Sequence, residues 1–423
     1  MLMSVASRVL LLAGVPLLAQ SVLLAQSVQW PDYRGPDASG HVREAKVPLE
    51  WSETKNVVWK RRVLGMGWST PVVADNVAWL TTSTDDGKKL QVAAYDIRDG
   101  KLLFERVVFE NAKPEKKNAL NSFASPSAVV ESGRVYVHFG SYGTACLDAE
   151  TSETIWERRD INCDHMEGPG SSPILYRNLL IFNVDGGDVQ YVIALDKSNG
   201  KTKWQTERSL DLAKHPADLR KAYSTPVIAK VRRRDQLIST GAQGNYGYDL
   251  KTGKELWRVR FKGFSMAPRP LVAKDMVYVT TGFMRAQMLA IKTRGKGDVT
   301  DDNIVWKYSR NVPKMSSPVL VGDRIFMIDD GGFATCLDRL TGKAVWRERI
   351  GGSHCASPIC IGDRVYYFDR GGKTVVVKNA DEFERLAENE LDDGFMASPV
   401  VVGDALLLRS KTHLYRIEGQ NGK

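Results

Sequence analysis

Residues 316–349 contain one complete β unit, and weaker copies of it fill most of the chain after residue 57. The unit begins with Ser-Pro and continues as four short runs of β-forming residues, separated by Gly-Asp, Asp-Gly-Gly and Thr-Gly-Lys turns. Such punctuated runs are typical of antiparallel strands joined by tight turns. The unit therefore predicts a four-stranded sheet, in which Asp338 bonds turn amides and Gly342 adopts a positive φ.

The proline that opens the unit recurs with an average spacing of about 47 residues, which lies in the range of propeller blades. It stands at Pro71, Pro126, Pro173, Pro226, Pro270, Pro318, Pro358 and Pro399. The fourth strand of successive units carries an aromatic residue, at Phe104, Trp156, Trp204, Trp257, Trp306 and Trp346. Because each blade packs mainly on its neighbours, an array of 423 residues needs no second domain.

The two ends of the array are complementary. The last copy, residues 399–418, has three strand-like runs and lacks a fourth, whereas residues 57–63, with Trp59, form an isolated fourth strand. A radial array removes its exposed edges when the N-terminal strand pairs into the last blade. The sequence therefore predicts an all-β, eight-bladed β-propeller of four-stranded antiparallel blades, closed by pairing of the N- and C-terminal strands around an unoccupied hub. An open stack of β modules is the alternative.

The N-terminal segment has the pattern of a signal peptide. Arg8 precedes an apolar run over residues 9–19, and Ala25-Gln26-Ser27 forms a small-x-small cleavage site. An uncleaved anchor is the alternative. We expect a signal peptide over 1–27, an N-terminal extension over 28–56, the propeller over 57–418 and a tail over 419–423. The protein is then periplasmic or secreted, with no transmembrane segment in the mature chain.

The composition limits the partners. A formal net charge of +9 on an exported protein favours anionic surfaces such as lipid headgroups or acidic glycans. No nucleic-acid-binding module is recognisable, and we expect a monomer that binds a protein or another envelope component. The five cysteines are an odd number, and we expect no required disulfide.

The topology of a blade places the loops before the inner strands, and those between second and third strands, on one face of the ring. These loops differ from blade to blade, whereas the turns on the opposite face are short and alike. An aromatic and methionine collar with a few polar groups fits a ligand pocket, although it also fits a plug that only seals the axis. The candidate ligand-binding residues are Trp68, Phe123, His165, Tyr223, Phe264, Arg269, Arg285, His354 and Phe395.

Catalytic patterns are not recognisable in the sequence. His165 and His354 lie in distant blades, with no cysteine or carboxylate at a metal-ligand spacing beside either. The acidic stretch over residues 298–302 lacks the alternating spacing of a calcium loop. We therefore assign no catalytic and no metal-binding residue, and expect no cofactor.

The motif Ala/Cys-Leu-Asp-x-x-Thr-Gly-Lys-x-x-Trp resembles the repeat of pyrroloquinoline-quinone (PQQ) propellers, and the resemblance covers nearly all of residues 57–418. It implies that the fourth-strand tryptophans dock against the next blade, a role matched by Trp59, Trp156, Trp204, Trp257, Trp306 and Trp346. The opening Trp30-Pro31-Asp32-Tyr33-Arg34 is similar to secreted PQQ-like propellers.

Two branches of this family imply different functions. Quinoprotein dehydrogenases bind PQQ and calcium on the axis, beside a pair of adjacent cysteines that this chain lacks. BamB-like propellers are non-enzymatic scaffolds, but they carry a lipoprotein cysteine, and no cysteine precedes Cys146 here. The sequence favours an exported, non-catalytic, BamB-like scaffold. The alternative is a PQQ-dependent oxidoreductase acting on alcohols or sugars, with Trp68 or Phe264 stacked on the quinone and Arg269 or Arg285 on its carboxylates.

Overall fold

Short antiparallel strands form most of the regular structure in the computed structural model, which describes residues 29–232 and 234–419. The predicted signal peptide and all but the first residue of the predicted tail lie outside these residues. Before the repeats come β1 (His41–Val42) and β2 (Val57–Arg62). Blades 1 and 2 contain β3 (Val72–Ala74), β4 (Val77–Ser83), β5 (Lys89–Asp96), β6 (Leu102–Glu110), β7 (Val129–Glu131), β8 (Arg134–His138), β9 (Thr144–Asp148) and β10 (Thr154–Arg158).

The middle of the chain adds three blades and the only helical turns in the described residues. Blades 3 to 5 contain β11 (Ile174–Tyr176), β12 (Leu179–Asp185), β13 (Gln190–Asp196), β14 (Thr202–Glu207), β15 (Val227–Val231), β16 (Arg234–Gly241), β17 (Gly244–Asp249), β18 (Glu255–Arg260), β19 (Leu271–Ala273), β20 (Met276–Thr280), β21 (Met288–Lys292) and β23 (Ile304–Tyr308). A short strand, β22 (Gly297–Asp298), extends blade 4 by pairing parallel to β18. The helical turns are α1 (Thr300–Asn303) and two 3-10 segments, Gly140–Tyr142 and Ala217–Leu219.

The C-terminal blades repeat the same order. Blades 6 to 8 contain β24 (Val319–Val321), β25 (Arg324–Ile328), β26 (Phe333–Asp338), β27 (Ala344–Arg349), β28 (Ile359–Ile361), β29 (Arg364–Phe368), β30 (Lys373–Lys378), β31 (Arg385–Glu390), β32 (Val400–Val402), β33 (Ala405–Arg409) and β34 (His413–Glu418). The eight sheets confirm the predicted eight-bladed propeller. Among the described residues, no helix has the length and apolar character needed to cross a bilayer.

The ring closes through blade 8, where the N-terminal strand β2 pairs antiparallel with β34. Trp59 lies opposite Arg416, and Val57 lies opposite Ile417. Trp59 and Leu406 belong to the same buried cluster, so both ends of the chain share one hydrophobic core. The closure predicted from the two half-blades is therefore confirmed.

Neighbouring blades are joined by tryptophan side chains that cross the gap between sheets. Trp59 Nε1 donates to the Ile97 carbonyl at 3.1 Å, and its ring covers Gly100, where a Cβ would lie only 2.7 Å away. Gly100 has a φ of +72°, so the turn needs glycine both for its backbone and for the close approach of the ring. The same bond to the next blade is made by Trp156, Trp204, Trp306 and Trp346.

Trp257 departs from this pattern. Its Nε1 donates to Gln236 within its own blade, at 3.0 Å. The ring is fully buried and packs in a cluster with Val277 and Leu289 of the following blade. Blade 5 has no Thr-Gly-Lys turn to receive the indole, because α1 occupies the connection between its third and fourth strands.

The hub is filled, and the expectation of an unoccupied hub is wrong. Residues 29–42, here called the axial plug, run up the axis and return along blade 7. Trp30 exchanges two backbone hydrogen bonds of 2.8 Å with Val73 of the inner strand β3, and β1 pairs parallel to β28. Inner-strand backbone groups that would otherwise be unpaired at the axis thereby gain partners.

Candidate functional site

The site is a cavity of about 750 Å³ at one mouth of the hub, on the face from which the inner strands start. We call this side the pocket face and the opposite side, with its Thr-Gly-Lys turns, the turn face. Tyr33, near the tip of the axial plug, forms part of the floor. The apolar part of the wall consists of Trp68, Leu120, Tyr223, Phe264, Ala267, Phe283, Met284, Met315 and Met396.

A belt of hydrogen bonds from one blade to the next surrounds the floor. In most blades the backbone N–H of the residue two positions before the inner strand donates to a side-chain hydroxyl of the next blade, over 2.9–3.2 Å. The hydroxyl residues are Thr70, Ser127, Ser172, Thr225, Ser317, Ser357 and Ser398. In blade 2 this position is Ser127, followed by Ala128. The assignment of the blade 2 opening to Pro126 is therefore wrong by two residues.

Arg269 occupies the belt position of blade 5 and holds the axial plug. Its guanidinium forms bonds of 2.6 and 3.3 Å with the two carboxylate oxygens of Asp32, and its Nε donates to the Pro226 carbonyl at 3.1 Å. The hydroxyl of Tyr33, the next residue of the plug, hydrogen-bonds with Ser357 Oγ at 3.0 Å. The Arg269 side chain is buried beneath the floor, and the prediction that it contacts a ligand directly does not agree with this geometry.

Four of the predicted collar residues line the cavity, namely Trp68, Tyr223, Phe264 and His354. Two other aromatics support the wall from behind. Phe123 packs edge-on against Tyr142 with ring centroids 6.0 Å apart, and Phe395 packs against Phe368 at 5.4 Å. Arg285 points into solvent away from the cavity. The structure thus brings Trp68, Tyr223, Phe264 and His354 together at the cavity, and places both predicted arginines outside its lining.

His165 lies behind the wall, beside Cys163. The Cys163 sulfur is 3.5 Å from Nδ1 of His165, and the backbone N–H of Ser141 donates to Nε2 at 3.0 Å. Burial raises the pKa of the Cys163 thiol far above its usual range and lowers the pKa of His165 to about 4. At neutral pH both groups are therefore uncharged, and the thiol lacks the thiolate character of a nucleophilic cysteine.

Most charges that line the cavity are already paired. Lys221, whose side chain is buried, bonds Asp218 and lies 3.8 Å from Glu167. Asp330 lies 3.6 Å from Lys314, and burial raises the pKa of its carboxyl. The charged groups at the edges of the apolar wall are therefore already paired. Little hydration of these charges is lost when a ligand enters the cavity.

The residues do not fit a PQQ and calcium site. PQQ is a planar tricarboxylate, but neither arginine predicted to bind its carboxylates lines the cavity: Arg269 is committed to Asp32 and Arg285 faces solvent. Arg370 is the one cation of the described wall without a partner, and a single guanidinium cannot match three carboxylates. Calcium needs several oxygen ligands together. In residues 29–232 and 234–419, no group of three or more His, Cys, Asp or Glu side chains is placed to hold a metal ion. Tyr33 also takes up space on the axis itself.

Several residues of the cavity wall were not predicted from the sequence. Leu120 lies in the long connection between blades 1 and 2, and Phe283 and Met284 lie in the second loop of blade 5. These loops have no repeat partner, so the period gives no information about their direction. A large apolar residue in a nonrepeating loop of the pocket face is the only signal that could have identified them.

Comparison with known proteins agrees with the fold. The sequence profile of the family described as outer membrane protein assembly factor BamB matches residues 44–160, 124–232 and 188–423, which together cover most of the chain. The tetrathionate hydrolase of Acidithiobacillus ferrooxidans is 26% identical over 125 residues. The match covers 25% of this chain and 25% of that relative.

Solved structures share the architecture at low sequence identity. BamB from Moraxella catarrhalis superposes with a TM-score of 0.58 at 13% identity, over 85% of this chain and 99% of that one. The quinohemoprotein alcohol dehydrogenase of Comamonas testosteroni gives a TM-score of 0.54 at 13% identity, over 93% and 81%. A related alcohol dehydrogenase from Pseudomonas putida HK5 gives 0.59 at 13% identity, over the same shares. At these identities the likeness concerns the fold alone.

Proposed function

Because the chain belongs to the family of the outer membrane protein assembly factor BamB, we propose that it is an exported, non-catalytic scaffold that binds an envelope protein through its pocket face. The pattern of residues 1–27 supports export to the periplasm or beyond. The poor fit of the cavity to PQQ and calcium favours binding over catalysis. The family description supports a protein as partner.

One observation carries this proposal: large apolar side chains stand exposed at the mouth of the cavity. Met284 is 79% exposed and Leu120 is 38% exposed, on loops from opposite sides of the ring. Half-buried Trp68 adds an aromatic surface beside Leu120 and donates its Nε1 to the Leu120 carbonyl at 3.1 Å. Apolar side chains grouped on such a rim are typical of a recognition surface.

The proposal is tested by site-specific crosslinking in the living source cell. Met284 or Leu120 is replaced by a photo-crosslinking phenylalanine analogue, and adducts are identified by mass spectrometry after irradiation. The matched control is Leu340, which is 59% exposed on the turn face. We expect one defined envelope protein at positions 284 and 120 and none at 340.

Two outcomes contradict the proposal. Equal adducts at position 340 indicate nonspecific contact, and the absence of adducts at both rim positions removes the pocket face as a docking surface. Adding Met284→Glu to the crosslinking variant at position 120 provides a further check, since a charge placed on the rim should abolish the adduct without changing the melting temperature.

A further inference from the structure

Arg370 differs from the other charged residues that line the cavity. It lies in the loop between β29 and β30 of blade 7 and lines the cavity. Its backbone is fixed, because its N–H donates to the Ser353 carbonyl at 2.8 Å and its carbonyl accepts from Lys411 Nζ at 2.9 Å. The backbone at Arg370 is therefore fixed by hydrogen bonds to segments on both sides of its loop.

The guanidinium of Arg370 has no partner within residues 29–232 and 234–419. Its Nε is buried without a hydrogen-bond acceptor, and no carboxylate of that part of the chain forms an ion pair with it. Lys221, the other cation among the described residues that line the cavity, is paired with Asp218. A buried donor of a charged group that lacks an acceptor costs free energy, and the cost is recovered when an acceptor arrives.

The residues around Arg370 indicate the chemical character of the ligand that would carry such an acceptor. Cys355, Met315 and Met396 line its side of the cavity, and the sulfur of Cys355 lies 3.6 Å from that of Met315. The aromatic rings of Phe264 and Phe283 line the side of blades 4 and 5. A ligand that satisfies both sides has an apolar body and one anionic end.

We propose that the cavity binds a compound or chain end with an apolar body and a single carboxylate or sulfonate, and that Arg370 binds the anion. A guanidinium suits this role because its planar fork donates two parallel hydrogen bonds to such a group. This inference rests on the proposed function, since both place the ligand at the pocket face. It adds the chemistry of the group that enters the cavity.

The experiment compares two fluorescent probes that differ in charge. The probes are 8-anilinonaphthalene-1-sulfonate and the uncharged N-phenyl-1-naphthylamine, titrated against the parent protein, Arg370→Gln and Arg285→Gln. Arg285 is the matched control, because it lies in the corresponding loop of blade 5 and points into solvent. We expect Arg370→Gln to weaken binding of the sulfonate by about tenfold or more, as for loss of a charge-assisted bond, and to leave the neutral probe unchanged.

The outcomes separate this inference from the proposed function. If Arg370→Gln and the parent bind the sulfonate equally while the neutral probe still binds, the anion role of Arg370 is wrong and the pocket face remains a binding surface. If neither probe binds the parent, the cavity is not a ligand site. Salt dependence gives a check without any variant, because only the sulfonate should lose affinity between 0.05 and about 0.5 M salt.

Competition then identifies the source of the anion. Decanoate and decanol present the same apolar chain with and without charge, and a short peptide ending in leucine is used as free acid and as amide. Displacement by decanoate alone indicates a lipid-type ligand, and displacement by the peptide acid alone indicates a chain end. Equal displacement by the charged and uncharged member of each pair overturns the proposal.

Discussion

Asp32 shows how one residue can hold a segment inside a closed ring. Its carboxylate meets the guanidinium of Arg269, which is only 3% exposed, and no other carboxylate among the described residues pairs with that arginine. Removing one partner of a buried ion pair leaves the other charge uncompensated, which costs more than removing both. The stability of the axial plug therefore depends on the pair being complete.

We expect Asp32→Ala to lower the free energy of unfolding by about 3 kcal/mol, because Arg269 then stays buried without its counterion. The double variant Asp32→Ala/Arg269→Met should recover part of the loss. Denaturant titration measures both, with Asp37→Ala, an exposed carboxylate of the same segment, as control. An Asp32 variant as stable as the Asp37 variant would show that the pair does not hold the plug.

His138 predicts a dependence of stability on pH. Its Nδ1 lies 2.8 Å from Thr144 Oγ1, its ring packs on Phe182 at 4.3 Å, and burial lowers its pKa to about 3. In the unfolded chain a histidine binds a proton near pH 6.5. The unfolded state therefore takes up a proton first, so that stability is complete above about pH 6.5 and falls as the pH drops toward 3, by up to ~1.4 kcal/mol per pH unit.

His138→Asn should make this fall shallower, because asparagine can keep a bond to Thr144 without binding a proton. The measurement is the free energy of unfolding of parent and variant at several pH values between 7 and 4. Identical slopes would mean that His138 is not kept neutral by its burial. His165, whose pKa burial also lowers, accounts for part of the slope that remains.

At the scale of elements, the strands could be predicted because the same pattern of turns and β-forming residues recurs in several units. Several copies offer a glycine turn such as that at Gly342, or an indole such as Trp346 that reaches the next blade. The axial plug could not be predicted, because Trp30 and Asp32 belong to no period. Their partners, Val73 and Arg269, are far away in sequence and become neighbours only when the ring has closed.

The same reasoning explains the partial success at the cavity. Blade topology gives the face on which a loop lies, and this placed Trp68, Tyr223 and Phe264 correctly at the cavity wall. Topology does not give the direction of a side chain within an irregular loop, which is why Arg285 was misplaced. Whether the collar residues bind a ligand stays a prediction.

The strand β2 gives a test at this scale. Trp59→Ala removes a buried indole, its bond to Ile97 and its cover over Gly100, and should cost about 3 to 5 kcal/mol. Val58, which is 52% exposed on the other side of the same strand, is the matched control. Thermal melting of Trp59→Ala and Val58→Ala should differ by several degrees. Equal melting temperatures would mean that the docking of Trp59 adds little to closure.

At the scale of the whole molecule, closure makes the eighth blade depend on both ends of the chain. A protein that ends at residue 396 loses β32 to β34, so that β2 has no partner and blades 1 and 7 each have an uncovered side. We expect it to melt over a broad temperature range with no single transition, as judged by calorimetry and circular dichroism. A sharp transition near that of the parent would show that seven blades are sufficient.

The pairing of β2 with β34 also determines when the protein can become complete during its biogenesis. A ribosome delivers residues 57–62 first and residues 413–418 last, and the strand made early has no hydrogen-bonding partner until nearly the whole polypeptide has emerged. Contacts between residues this distant in sequence form slowly. Until they form, the unpaired edge of β2 is a site at which the chain can aggregate. If the chain is exported in an unfolded state, the ring can close only after translocation, and a chaperone that shields the edge of β2 would be most needed before that step.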